Sequence, residues 1–227
     1  MVKKLSEFTV IIRAKNEERW IGHCIQSVLD YLYKPEIIIV DNNSDDKTID
    51  IVKQFIQAPK LDDHSKNYTN IKIFNIKNYS PGKSLNLGIN KSTRKYVMIL
   101  SAHCVLKNFK EILITKNLKK NVCVFGNQIP IWNGKKISKR YIWSHFGKKQ
   151  EQNLFSKLEN RYFLHNALAI YKKEILKKFP FDENLTGKED RYWANKIVRK
   201  NYKYLYDPEL IAEHHYTFNG NTWKGIG

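Results

Sequence analysis

The stretch that decides the fold is Tyr96-Val-Met-Ile-Leu100 followed by Ser101-Ala102-His103. An unbroken apolar run of this length reads as a strand covered on both faces, as in the interior of a parallel sheet. The chain then releases a polar triplet. In an open α/β sheet, ligands bind outside the carboxyl ends of the strands, so a polar step at such an end marks a candidate site. His103 leaves the core there. An imidazole in that position can hold a metal or a phosphate, and it can equally be a satisfied structural side chain.

Working outward, 8–12 reads as a first strand. Residues 17–31 form a predicted helix, with Trp20, Ile21, Cys24, Ile25, Val28 and Leu29 on its apolar spacing. Pro35 ends that region, and 36–40 is a second fully apolar strand. The turn 41–46 is able to cap a helix over 47–55. A polar loop is expected over 58–70, a third strand over 71–74 and a helix over 82–90. This alternation predicts an α/β fold with a central, mostly parallel twisted sheet flanked by helices and built by right-handed crossovers.

Downstream of His103 the pattern is less regular. Strands are expected over 121–125, 163–171 and 202–206, with a further apolar stretch over 210–216. Helices are expected over 173–179 and 188–200. Residues 129–152 mix Trp132, Tyr141, Trp143 and Phe146 with lysines and read as a mobile loop or short helix near a ligand.

At 227 residues and 42% hydrophobic, the chain suits a single domain with a sizeable core, so it is read as one domain over 1–227. No apolar run approaches bilayer length, and MVKKLSEFTVII lacks the features of a signal peptide. The formal charge of +18 favours polyanionic partners: nucleic acid, an anionic membrane or a phosphorylated small molecule. The charge is spread in Lys-Lys pairs without a compact basic helix and aromatic stacking partners, so no specific nucleic acid is expected. Cys24, Cys104 and Cys123 form no CxxC and read as reduced, buried thiols of a cytosolic protein. Cys104 beside His103 is a poor nucleophile pair, because neighbours on a strand face opposite ways.

Several residues can carry chemistry. Glu189 and Asp190 open a predicted helix, where they either complement its dipole or supply a general base with an orienting neighbour. His214 and His215 are adjacent and so diverge, leaving one free to reach a metal. Asp41 opens the turn after a buried strand, where it accepts hydrogen bonds from a base or ribose or simply caps the turn. Arg13 and Asn16 follow the first strand at the same edge. Lys83 follows Pro81-Gly82, where a lysine can meet phosphate. GxGxxG, GxxxxGKS and GxSxG are all absent.

In order, Val10-Ile-Ile-Arg-Ala-Lys-Asn-Glu-Glu18, Ile37-Ile-Ile-Val-Asp-Asn-Asn-Ser-Asp-Asp-Lys-Thr48, Gly82-Lys-Ser-Leu-Asn-Leu-Gly-Ile89, the stretch from Tyr96 to His103, Gly187-Lys-Glu-Asp-Arg-Tyr-Trp193 and His214-His215 resemble family 2 glycosyltransferases of the GT-A fold. The resemblance implies a nucleotide-binding half (1–105) and an acceptor-binding half (106–227). It implies inverting transfer of a sugar from a nucleotide donor of UDP, GDP or CMP type to a hydroxyl of a glycan or lipid-linked acceptor, in surface polysaccharide synthesis. Asp190, beside Glu189, matches the catalytic base. Asp41 matches the acidic residue at the nucleotide base, and Asn42 stands where many members have a second aspartate. Arg13, Asn16, Lys83, Asn86 and Ser101 complete the implied donor-binding set. His214 or His215 falls at a late metal or phosphate ligand.

The departure is Ser101-Ala102-His103, which stands where most members carry Asp-x-Asp. Related polypeptide GalNAc-transferases carry Asp-x-His. Three outcomes are open: a divalent cation (Mn or Mg) held by His103 and a downstream histidine, a weakly held cation, or metal-free catalysis with His103 on the phosphates. The charge implies peripheral contact with an anionic membrane through Lys135-Lys136 and Lys148-Lys149, and a location in the cytoplasm or at the inner face of the cytoplasmic membrane. Two other classes stand beside this one: a non-catalytic nucleotide-sugar or glycan-binding module, and a basic nucleic-acid-binding protein.

Overall fold

Three apolar runs pair side by side at the centre of the molecule. In the computed structural model, which describes residues 5–57, 70–139 and 141–220, β1 (Phe8–Ala14) lies between β2 (Glu36–Asp41) and β4 (Tyr96–Ser101), parallel to both. β3 (Ile71–Asn75) adds a parallel edge beside β2. The runs are continuous because both faces are covered. Val10 and Ile12 enter a core with Ile21, Cys24 and Ile25 of α1 (Ile21–Tyr31) and Val52 of α2 (Thr48–Gln57). Ile11 enters the opposite core with Leu85 and Ile89 of α3 (Pro81–Lys91). Register sets the site: Arg13 pairs with Ser101, and Ala14 with Asp41, so Arg13, Ser101 and Asp41 come to one end of the sheet.

α3 starts where its sequence dictates. The Ser80 side chain accepts from the Lys83 amide, and Pro81 occupies the first turn. Gly82 is required by close approach: a Cβ there would lie 2.1 Å from the Asp182 carbonyl oxygen. That contact presses the segment before α6 (Glu189–Arg199) against α3.

Beyond β4 the sheet continues in mixed orientation through β11 (Leu168–Lys172), β6 (Cys123–Trp132), β12 (Tyr204–His215) and β5 (Cys104–Asn108), giving the order β3-β2-β1-β4-β11-β6-β12-β5. β11 runs antiparallel to both β4 and β6, while β12 runs parallel to β6. Four two-residue strands, β7 (Lys135–Lys136), β8 (Glu151–Gln152), β9 (Phe155–Ser156) and β10 (Arg161–Tyr162), lie between β6 and β11 in the chain, and a short helix, α5 (Lys173–Lys178), follows β11. The sheet is thus the expected mostly parallel, helix-flanked α/β sheet, with the irregularity concentrated in its second part. β5 straddles the 105/106 division.

Several expectations are corrected. The first helix starts at Ile21 rather than 17, because 17–20 form a turn in which Trp20 and Ile21 amides donate to the Glu17 carbonyl. Residues 163–167 precede β11 as irregular chain. The stretches 202–206 and 210–216 merge into β12, whose register shifts between Asp207 and Ile211, around Pro208. β5 and α4 (Glu111–Lys120) were not expected at all.

Of the two readings of 129–152, loop or short helix, the short helix is found, alongside a strand that was not expected. Ile129–Trp132 extend β6, and Tyr141–His145 form a 3₁₀ turn. Trp143 is fully buried and Phe146 nearly so, both in the second core, while Trp132 is partly exposed against Tyr216. The Tyr141 side chain and residues 58–69 of the predicted loop lie outside the described residues. All three cysteines are free and buried, and burial pushes their thiols well above the usual range.

Candidate active site

α6 delivers the acidic pair to the sheet edge. Lys188 precedes it in the left-handed conformation (φ 59°), which turns Glu189 and Asp190 inward. Both line a cavity of about 670 Å³ with Arg13, Ser101, His165 and Asn166. The Arg13 guanidinium lies 3.4 Å from Glu189 Oε1 and donates to the Pro81 carbonyl at 3.3 Å. Asn166 Nδ2 donates to Glu189 Oε1 at 3.3 Å, and its backbone amide donates to Asp190 Oδ2 at 3.0 Å. Arg191 Nη1 spans both Asp190 oxygens at 2.9 Å, and its Nε stands 3.7 Å from Glu159. Burial pushes the Glu189 carboxyl above its ordinary range; Arg13 opposes this, and the charge of Asp190 adds to it. Two buried carboxylates are therefore balanced by two arginines at the wall of this cavity.

A second cluster follows from His103. His103 Nδ1 sits 2.8 Å from Glu17 Oε1, and its Nε2 sits 3.1 Å from Nε2 of His214. His214 Nδ1 faces Gln128 Oε1 at 2.8 Å, and Gln128 Nε2 faces His165 Nδ1 at 2.9 Å. The Ala167 amide also points at His165 Nδ1, at 3.2 Å.

A backbone amide only donates, so His165 Nδ1 is an acceptor. Gln128 must then turn its NH₂ to His165 and its oxygen to His214, which makes His214 Nδ1 a donor. Burial, with the neighbouring histidines, pushes His214 well below its usual range, so its Nε2 carries a lone pair. His103 donates its Nδ1–H to the Glu17 carboxylate. The two Nε2 atoms therefore meet over one shared proton or one cation. Their 3.1 Å separation suits adjacent ligands of an octahedral ion, which stand about 3 Å apart on bonds of roughly 2.1 Å. The carboxylate and amide behind the two rings are the usual orienting partners of metal-binding imidazoles. Among the described residues no group of three or more His, Cys, Asp or Glu side chains is placed to hold a metal. The protein thus offers two nitrogens, and the remaining ligands would be oxygens of phosphate and water.

The other residues singled out by sequence are distributed as follows. His215 points away from His214, stacks on Trp20 at 3.9 Å, and is lowered to about 4 by burial, against the pull of Glu213. Asp41 is buried, with both oxygens accepting from Ser44. Asn16, at φ 54°, binds Ser44 through its amide and Asp45 through its side chain, tying the ends of β1 and β2 together. Lys83 is half-buried on α3. The Asn86 side-chain amide bonds the Phe181 backbone in both directions and donates to Glu183. Lys135, Lys136, Lys148 and Lys149 are exposed.

Sequence reading missed Glu17, Gln128, Glu159, His165 and Asn166. A signal existed for three of them. Asn127-Gln128 and His165-Asn166 are polar pairs set inside otherwise apolar runs, and a buried polar residue is the informative exception.

The fold and this edge define the class: a GT-A-type nucleotide-sugar-binding domain. Residues 9–179 match the sequence profile of Glycosyl transferase family 2, and the chain belongs to that family. An uncharacterized glycosyltransferase of Methanocaldococcus jannaschii is 26% identical over 91% of this chain and 69% of its own length. The GalNAc(5)-diNAcBac-PP-undecaprenol β-1,3-glucosyltransferase of Campylobacter jejuni is 25% identical over 87% and 62%. Among solved structures, S. aureus TarS 1–349 with UDP-GlcNAc superposes with a TM-score of 0.69 at 19% identity, covering 97% of this chain and 61% of that one. The mannosyltransferase PcManGT of Pyrobaculum calidifontis, with GDP-Man and Mn²⁺, gives 0.70 at 17% identity, covering 96% and 59%. The chain spans about three fifths of the length of these solved structures.

Proposed function

We propose that this domain transfers a sugar, with inversion, from a nucleotide-activated donor to a hydroxyl of a glycan or lipid-linked acceptor in surface polysaccharide synthesis. One observation carries the reading: Asp190 and Glu189 share a cavity with Arg13 and Ser101 at the ends of β1 and β4. Asp190 takes the acceptor proton as that oxygen bonds the anomeric carbon, while the carbon–phosphate-oxygen bond breaks and its electron pair leaves with the nucleotide. Asn166 and Arg191 hold the Asp190 carboxylate in one orientation. Arg13, with Glu189 as its counter-charge, faces the departing phosphate. Asp41 and Asn16 shape the rim for the nucleoside, and Lys83 approaches its phosphates.

Ser101-Ala102-His103 takes the place of the family's Asp-x-Asp. His103 and His214 would hold a divalent cation, Mn or Mg, which when bound supplies positive charge to the leaving phosphates; His215 serves the ring stack instead. The relatives crystallised with UDP-GlcNAc and with GDP-Man and Mn²⁺ favour a diphosphate donor over a CMP type. No helix among the described residues is long and apolar enough to cross a membrane. The exposed lysine pairs support peripheral contact at the inner face of the cytoplasmic membrane.

Thermal unfolding with UDP, GDP and CMP, each with EDTA, Mg²⁺ or Mn²⁺, tests the reading. One nucleotide should stabilise the fold, more strongly with the cation. Absence of any nucleotide response would overturn the proposal.

A further inference from the structure

A second cavity, of about 430 Å³, opens beside the first and shares Arg161 with it. Tyr192, Asn195, Lys196, Arg199 and Lys200 line it, and no carboxylate does. Positions 192, 195, 196 and 199 fall on one face of α6, leading away from Asp190. Nine residues at 1.5 Å rise separate Asp190 from Arg199, about 13 Å along the helix.

The composition shows why this strip is more than background. Lysines are scattered over the surface, but only seven residues of the chain are arginine. Four of them, Arg13, Arg161, Arg191 and Arg199, lie around the two adjoining cavities. Arg13 and Arg191 are taken up by Glu189 and Asp190. Arg161 stands 3.9 Å from Glu159, a carboxylate that also serves Arg191, and its guanidinium lies 5.5 Å from the centre of the Tyr192 ring. Arg199 and Lys200 have no carboxylate within ion-pair distance among the described residues, and Lys196 has only the Phe179 ring, at 5.8 Å. The strip therefore holds an uncompensated positive charge organised around an exposed aromatic face.

We propose that this strip is an acceptor subsite for a phosphate group, filled when the acceptor hydroxyl lies at Asp190. This assignment rests on the sugar-transfer reading above. A guanidinium fork reads phosphate oxygens in pairs, flanking ammonium groups add point charges, and Tyr192 offers a face for a sugar ring. Two sources share this chemistry: the pyrophosphate of a lipid-linked glycan and the phosphodiester of a phosphate-bridged polymer.

Amide NMR mapping of the whole chain tests it, with inorganic pyrophosphate for the first source, glycerophosphoglycerol for the second and methyl glucoside as the neutral control. One probe should shift amides of 160–161 and 192–200, and whichever binds more tightly names the source. In K196S/R199S/K200S the dissociation constant should rise about tenfold or more, the expectation for removing three exposed charges that act together. K116S/K119S/K120S, on the exposed side of α4, loses the same charge elsewhere and should leave binding unchanged. The subsite is overturned if neither probe moves 192–200, if sulfate at equal ionic strength reproduces the response, or if both triple variants weaken binding alike. The sugar-transfer reading fails separately, when no nucleotide shifts the amides of Arg13 and Ser101.

Discussion

The two polar clusters at the carboxyl edge of the sheet are built on opposite principles. Around Asp190, carboxylates and guanidiniums balance one another beside open space, so charge can be redistributed when a ligand enters. Around His214, the Ala167 amide fixes His165 Nδ1 as an acceptor, and a neutral side-chain amide, Gln128, passes that choice on to His214, with Gln128 and His214 fully buried. The first cluster is held by charge and tolerates rearrangement. The second is held by tautomer and has one self-consistent hydrogen pattern. Chemistry that moves a proton suits the first, and fixed presentation of a lone pair suits the second.

The largest break in this contrast is Asp190→Asn. Transfer should fall by roughly 10²–10⁴-fold, the usual worth of a positioned base, while nucleotide-induced stabilisation persists. Steady-state turnover with a thermal-shift control checks it. Next comes Gln128→Leu, which removes the group that carries the His165 pattern over to His214. Mn²⁺ affinity should weaken roughly 10–100-fold, and imidazole ¹⁵N shifts should show mixed tautomers at His214 while His165, still held by the Ala167 amide, keeps its own. A change in stability alone, with the His214 tautomer kept, would mean that packing and not the amide sets the pattern.

A smaller effect separates the clusters by pH. His165, His214 and His215 all lie below their unfolded value of 6.5, chiefly through burial. The unfolded chain then binds more protons, so stability is full above about pH 6.5 and is lost as pH falls towards 4. The slope is about 1.4 kcal/mol per pH unit for each group. His215→Phe keeps the stack on Trp20 and should flatten that loss, as urea midpoints across pH 4–7 would reveal.

The smallest effect has the opposite sign. Glu189 is raised by burial, so its contribution is present below the unfolded carboxyl range and lost as pH rises. Glu189→Gln should therefore raise the melting temperature modestly at pH 7 while impairing transfer. A lowered melting temperature would show that the Arg13 pair outweighs desolvation.

The part of the sheet that was legible is the part buried twice. The runs at 8–12, 36–40 and 96–100 read as strands because apolar cover on both faces leaves no alternation to misread. β5 escaped notice because Cys104–Asn108 is an edge strand with only two buried residues, and α4 because it buries only Ile114 and Leu118. Residues 163–167 looked like strand because Phe163, Leu164 and Ala167 are apolar, yet the chain bends there to line the cavity. Within the site, Arg13, Ser101, His103 and the acidic pair stood out as polar steps after strands or at a helix start. Glu17 and Gln128 did not, because each acts through a histidine 86 positions away in the chain. No local pattern records such a contact.

The burial of all three thiols has a practical consequence. Cys24, Cys104 and Cys123 are sealed in the interior with protonation strongly favoured, so maleimides should find no reactive thiol in the folded chain. The natural protein is therefore already a silent background for site-specific labelling. A single cysteine introduced on an exposed turn would accept a fluorophore or spin label without first stripping the native ones, which would open ligand-linked motion at the sheet edge to direct spectroscopy.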